Sequence, residues 1–336
     1  MATVLAGDFG GTSARLALFE VAPGTQPRIG ASVRYPAREV DGIAAAVERF
    51  FTEQRSPSVA AATFGVAGAV DDNRAHLTNL GWEADGAALS ARFGFPVELL
   101  NDLVATALGM NALGGGDVLE LNPHAAHGRG NAVLVGAGTG LGVALIVWSG
   151  DRMLAVPSEG GHSELSARNE EEWALRRFLA PRCGGRVSAE RVVSGLGLRN
   201  LYDFLVDRGE LRPAAHVVAA LAAGEDAGKV IGTAGMDGSC PLCARALDLF
   251  ASAYGSFAGD LALVGGAAGG VYLGGGVSMR LAKKLADGTF LRAFTGKGRL
   301  SQFVEQVSVQ VLMRPDTAIL GAARRAGELA TASLSL

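Results

Sequence analysis

Residues 5 to 18, LAGDFGGTSARLAL, begin apolar, break at Asp8 and a glycine pair, and turn apolar again. The glycines do not fit the G-x-G-x-x-G spacing of a dinucleotide-binding turn, and the run 15–21, ended by Pro23-Gly24, suits a second strand better than a helix. The pattern predicts strand, glycine turn, strand. Without Cβ atoms such a turn lets backbone N–H groups approach an anion, and Thr12 and Ser13 add hydroxyl donors. Asp8 faces a phosphate only across a cation, which implies Mg²⁺ held through water. An ordinary hairpin turn accounts for the same residues.

The pattern returns at residues 132 to 147, AVLVGAGTGLGVALIV, with Thr139 standing 127 positions after Thr12. This predicts an internal duplication that places two phosphate loops on facing lobes. A third glycine cluster lies in GGVYLGGGVSMRLAKKL, residues 269 to 285, between a buried strand at 271–273 and a helix whose apolar face is Met279, Leu281, Ala282 and Leu285. A bend without side chains there offers a flat nucleoside a place against backbone, or is simply a turn.

Between these repeats, PVELLNDLVATALGM predicts a strand ending at Leu100 and a helix after Asp102, closing a first lobe near Ala112. Helix signals dominate at 170–179 and 188–205. The longest helix carries Leu247, Phe250, Tyr254, Phe257 and Leu261 at spacings of three and four, a core stripe. Asp316 and Thr317 offer an N-cap after Pro315 for a closing helix.

Composition narrows the function classes. The 336 residues include 49% hydrophobic and 19% charged positions with 48 glycines, which indicates a folded chain of two domains rich in tight turns. A net charge of -3 without a basic stripe argues against nucleic-acid binding. No apolar stretch reaches the ~18 residues of a membrane span, and the N-terminus has no signal-peptide pattern, so a soluble cytoplasmic protein is expected. Three cysteines make no disulfide framework. Cys240 and Cys243 continue the helical face at 247–261, which predicts buried thiols in place of a cluster site.

Several polar residues stand where chemistry is possible. Asn101 and Asp102 sit at the carboxyl end of a strand, where α/β sheets present ligand-facing groups, and a carboxylate there could take a proton from a hydroxyl. Both are also good helix caps. SEGGHSEL offers Glu159 and His162, and its Gly160 and Gly161 argue for a loop suited to vicinal hydroxyls in place of a helical metal pair. Glu190 follows a possible Ser188 cap, so either a ligand contact or a charge favourable to a helix N-terminus explains it.

In order along the chain, GDFGGTSARLAL, LLND, GAGTGLGVA, EGGH, SAERVVSG and GGG resemble the bacterial glucokinases of the hexokinase and actin-like ATPase superfamily. The resemblance spans nearly the whole chain. It implies an α/β fold of two ribonuclease H-like lobes with a cleft between them: a small lobe at 1–112 joined by the terminal helix 313–336, and a large lobe at 113–312. It implies transfer of the γ-phosphoryl group of ATP, with Mg²⁺, to the 6-hydroxyl of D-glucose, feeding glycolysis, and a homodimer. By position, Asp102 matches the catalytic base, and Asn101, Glu159, His162 and Glu190 match the sugar-binding residues. Asp8, with a metal role, and Gly10, Gly11 and Thr12 match the first phosphate loop; Gly138, Thr139 and Gly140 match the second; Gly274, Gly275 and Gly276 match the adenosine motif. Three positions depart from the family pattern: Ser13 stands for the usual Asn, Ala69 for a common Pro, and Leu196 for the Pro that often follows SG. Water competes with sugar as nucleophile, so such a kinase must close over its sugar before it is competent. An iron-sulfur switch ATPase on the paired cysteines, or a silent sugar sensor, are the rival readings.

Overall fold

The computed structural model describes every residue except Pro23, Ser56, Thr78, Asn79, Ala126, His127, Asp151 and 334–336. The expected end of the second strand at Pro23 and the last residues of the expected closing segment therefore lie partly outside the described residues. The chain divides into two units, Met1–Gly115 with Arg314–Leu336, and Gly116–Met313.

In the first unit, strands β1 (Ala2–Phe9), β2 (Ser13–Val21), β3 (Arg28–Pro36) and β4 (Ala62–Val66) are followed by a small antiparallel sheet of β5 (Val70–Asp71), β6 (Arg74–Leu77) and β7 (Trp82–Asp85), and then by β8 (Val97–Asn101). The main sheet has the order β3-β2-β1-β4-β8. Its first three strands are antiparallel, whereas β4 and β8 run parallel to β1. Alternation along β1 divides the core: Leu5 and Phe9 join the cluster on the side of the helix Ile43–Glu53, while Val4 and Ala6 join the cluster of the closing helix Thr317–Ser333. Gly7 shares the first side because a Cβ there would stand 2.7 Å from Phe9 Cε2 and 2.8 Å from Phe64 Cδ1. Asp8 shares the second.

The second unit contains β9 (Val118–Glu120), β10 (Ala132–Ala137), β11 (Leu141–Ser149), β12 (Arg152–Ser158), β13 (Gly270–Gly274) and β14 (Val309–Leu312), in the order β12-β11-β10-β13-β14-β9. Again the first three are antiparallel and the next two parallel to the first; β9 is an added antiparallel edge. The repeat expected from the glycine turns is thus a repeat of sheet topology. The helix Pro241–Gly265 fills the core with Leu247, Phe250, Tyr254 and Phe257. Cys240 and Cys243 are fully buried, and Cys240 Sγ accepts the Cys243 N–H at 3.4 Å as the helix cap.

Several local expectations need correction. The helix expected over 188–205 begins later, at Gly195–Arg208, after a 3-10 turn Ala189–Arg191. Ser188 makes no capping hydrogen bond; Ser194 is the cap, accepting from Gly197 N at 2.9 Å. The helix expected across 279–285 breaks at Leu281 into Gly275–Arg280 and Ala282–Leu285. At the closing helix the Asp316 carboxylate is held by Arg314, and only its carbonyl accepts from Leu320. No helix among the described residues is long and apolar enough to cross a membrane.

Candidate active site

In the first unit the candidate residues gather at the carboxyl ends of β1, β4 and β8, the end where α/β sheets present ligands. Asp8 is the penultimate residue of β1, and the turn of Gly10, Gly11 and Thr12 is closed by Gly10 N to Ser13 O at 3.0 Å. Neither Gly10 nor Gly11 has a positive φ, and a Cβ on Gly10 would meet only Ser13 O at 3.8 Å. The fold itself leaves room for a side chain there. Asp8 lies in register with Arg15, and Arg15 with Arg34. Burial pushes the Asp8 carboxyl above its usual range, and Arg34 and Arg15 offset this in part.

Asn101 ends β8, and the helix Asp102–Gly109 starts at once. The structure gives the helix cap to Asn101, its Oδ1 accepting from Leu103 N at 3.0 Å and Val104 N at 3.3 Å, while its Nδ2 donates to Gly68 O at 3.0 Å. Asp102 is the first helical residue, half-buried, with Oδ1 accepting from Leu103 N at 2.8 Å. Glycines bring its helix close: a Cβ on Gly65 would lie 3.2 Å from Ala105 Cβ and 3.8 Å from Asp102 Cα. Cβ atoms on Gly109 and Gly321 would overlap backbone oxygens of Thr317 and Ala105, so the closing helix seats directly on it. Sequence reasoning missed these packing glycines because their reason is a neighbour distant in the chain.

In the second unit, His162, in the 3-10 turn Gly160–His162, stands between Glu159, just after β12, and Glu190 from the turn Ala189–Arg191. His162 Nε2 is 3.8 Å from Glu159 Oε2, and its Nδ1 is 3.9 Å from Glu190 Oε1. Glu159 is 79% exposed and Glu190 only 20%. Glu190 is therefore no mere helix-terminal charge; its Oε2 accepts from Leu141 N at 3.0 Å, just past the turn of Gly138, Thr139 and Gly140. That turn is closed by Gly138 N to Gly140 O at 2.9 Å, and nothing stands within 4 Å of a Cβ on Gly138.

The third glycine cluster is next door, because Gly136 of β10 is in register with Gly274 of β13. Gly275 has φ +87° and a Cβ there would overlap Ala137 backbone, so the fold requires this glycine. Gly276 is exposed, with only Arg280 Nη1 near its Cβ position, at 3.3 Å. Tyr254, expected only as core, has a buried hydroxyl that donates to Val135 O at 2.9 Å and lies 3.0 Å from Ser278 Oγ, pinning the strand to the helix that follows Gly274. Gly195, also unanticipated, donates its N–H to Gly138 O at 2.8 Å.

Two α/β units of one topology, each turning on glycines after its first strand, have the two-lobe fold of the actin-like ATPases. A family model described as Glucokinase matches residues 5–329. The glucokinase of Nostoc punctiforme is 34% identical, covering 98% of this chain and 100% of its own length. That of Saccharophagus degradans is 36% identical, covering 94% and 95%. Among solved structures, the glucokinase from an Antarctic psychrotroph is similar with a TM-score of 0.81 at 29% identity, covering 98% of this chain and 99% of that one. The chain belongs to the glucokinase family and is an ATP-dependent hexose kinase.

Proposed function

We propose that this chain transfers the γ-phosphoryl group of ATP to the 6-hydroxyl of D-glucose, with Asp102 as general base. The observation that carries this reading is the placement of Asn101-Asp102: Asn101 supplies the helix cap, and the Asp102 carboxylate stands at the first helical position, directly after the carboxyl end of β8. Phosphoryl transfer asks the protein mainly for positioning and charge neutralisation, with a carboxylate to accept the hydroxyl proton. In the second unit Glu159, His162 and Glu190 are assigned to sugar hydroxyls, and in the first unit Asn101 is assigned the same role. The N–H groups of the turns 10–12 and 138–140 take the phosphates, and the residues Gly274, Gly275 and Gly276 take the adenosine.

Mg²⁺ fits Asp8. This ion keeps several waters and binds through one or two carboxylates plus substrate phosphates, so a single acidic residue beside a glycine turn suffices. Among the described residues no group of three His, Cys, Asp or Glu side chains offers a metal cage of protein ligands alone. When bound, Mg²⁺ would neutralise charge on the phosphates. The same reading places the enzyme in the cytoplasm at the entry to glycolysis, as the homodimer common in the family.

The test is coupled ADP release across a panel of hexoses. Glucose should drive ADP formation far above the sugar-free rate, and Glu159→Ala should raise the KM for glucose about tenfold or more while leaving that for ATP near wild type. Hydrolysis of ATP at an equal rate without sugar would defeat the proposal.

A further inference from the structure

Leu141, the first residue of β11, is where three parts of the second unit meet. The turn 138–140 immediately precedes it. A Cβ on Gly161 would overlap the Leu141 carbonyl oxygen, so the turn carrying His162 rests on its backbone. Its N–H is taken by Glu190 Oε2, which would also stand 2.5 Å from a Cβ on Gly140. The other oxygen of the same carboxylate faces His162 Nδ1. One side chain thus presents one oxygen to the phosphate-side turn and the other to the sugar-side imidazole.

The backbone behind Glu190 is fixed as firmly. Ser194, fully buried, donates through Oγ to Glu190 O at 2.7 Å and accepts from Gly197 N at 2.9 Å. The next residue, Gly195, donates to Gly138 O. The segment 190–195 therefore grips the turn at both ends, through Leu141 N and Gly138 O.

We propose that this bracket makes glucose and nucleotide bind cooperatively, with Glu190 as the coupling group and Ser194 as the positioning residue behind it. The inference rests on the assignments of Glu190 to sugar and of the turn 138–140 to phosphate. A carboxylate beside a phosphate-binding turn repels the incoming anion. A sugar hydroxyl donating to Oε1 disperses that charge and holds Oε2 on Leu141 N, so the turn keeps its shape and the repulsion falls. Without sugar the repulsion persists, which also disfavours ATP binding in the presence of water alone.

Calorimetric titration of a non-hydrolysable ATP analogue, with and without saturating glucose, tests this. In the wild type, glucose should tighten analogue binding by about 5-fold or more, and by reciprocity the analogue should tighten glucose binding by the same factor. Glu190→Gln keeps an acceptor for Leu141 N–H and removes the charge, so the analogue should bind more tightly without sugar and the coupling factor should fall toward one. Ser194→Ala should lower the factor while each ligand still binds alone; if that variant fails to fold, Glu190→Gln carries the test. Additive binding in the wild type, or an undiminished factor in Glu190→Gln, overturns the coupling alone. Failure of the wild type to bind glucose or the analogue overturns the site assignments on which it rests.

Discussion

The two units repeat one sheet, yet they interrupt it at different points, and the interruptions bring in different polar residues. In the first unit a single α-helix, Ile43–Glu53, with a short 3-10 turn before it, links β3 to β4, and the larger insertion, the three-stranded sheet, falls between β4 and β8. In the second unit the long insertion falls between β12 and β13 and supplies Glu159, His162 and Glu190. The ends of the sheets keep the duplicated part: a glycine turn after β1 and after β10. The residues proposed for hydroxyl recognition thus lie on inserted segments, apart from Asn101, while those proposed for phosphate contact and for the base lie at the ends of paired strands.

The largest effect that could break this division lies in Asp102. Asp102→Asn leaves the Asn101 cap and the acceptor for Leu103 N–H in place, so folding should be unchanged and glucose affinity should stay within about tenfold. General base catalysis is worth ~10² to 10⁴-fold, and kcat should fall by at least ~10². Turnover near wild type would leave the first unit without its acid-base role.

The two turns can be compared directly. Neither Gly10 nor Gly138 has a left-handed φ, and a Cβ would make only an ordinary contact with Ser13 O at Gly10 and none within 4 Å at Gly138, so alanine at either should cost at most ~0.5 kcal/mol of stability. Each should nonetheless raise the KM for ATP about tenfold, because the methyl group stands where phosphate approaches. A stability loss with unchanged KM would return both turns to ordinary hairpin chemistry.

Asp8 marks a further asymmetry, since β10, Ala132–Ala137, carries no acidic residue. Its folded pKa is raised, so as pH rises through the ordinary carboxylate range near 4 the unfolded chain loses its proton first, and stability falls until the folded carboxyl has also ionised. Asp8→Asn should therefore melt at a higher temperature than wild type at neutral pH and lose that advantage below about pH 4, while ATP turnover drops. An equal melting temperature at both pH values would show that Arg15 and Arg34 compensate the burial fully.

What was legible in the sequence followed from local periodicity. The strand-turn-strand repeats, the strand expected to end at Leu100 and found to end at Asn101, and the core stripe through Tyr254 each depend on residues within one turn or one ladder of each other. The helix start at Gly195 was not legible from 188–205, because Ser188 and Ser194 are equally good caps in isolation, and the hydrogen bond from Gly195 to Gly138 joins residues distant in the chain. The link from Glu190 to Leu141 joins positions 49 residues apart and leaves no periodic signal. Gly161 and Gly65 read as loop and strand glycines until the backbone or helix that presses on them is in view.

The smallest expected effect concerns Leu196, in the bracket that only the second unit possesses. It occupies the second position of the helix capped by Ser194, is 55% exposed, and stands where the family pattern often has proline. Proline suits the first turn of a helix, where N–H groups have no intrahelical partner and φ is already near its fixed value. Gly195 before it has no Cβ to clash with the ring, and its own N–H to Gly138 O is retained. Leu196→Pro should therefore raise stability by ~0.4 to 1 kcal/mol, mainly by restricting the unfolded chain, with kcat unchanged. A fall in melting temperature would mean that the segment 190–195 needs the freedom leucine leaves it, and that its grip on the phosphate turn is mobile in the absence of ligand.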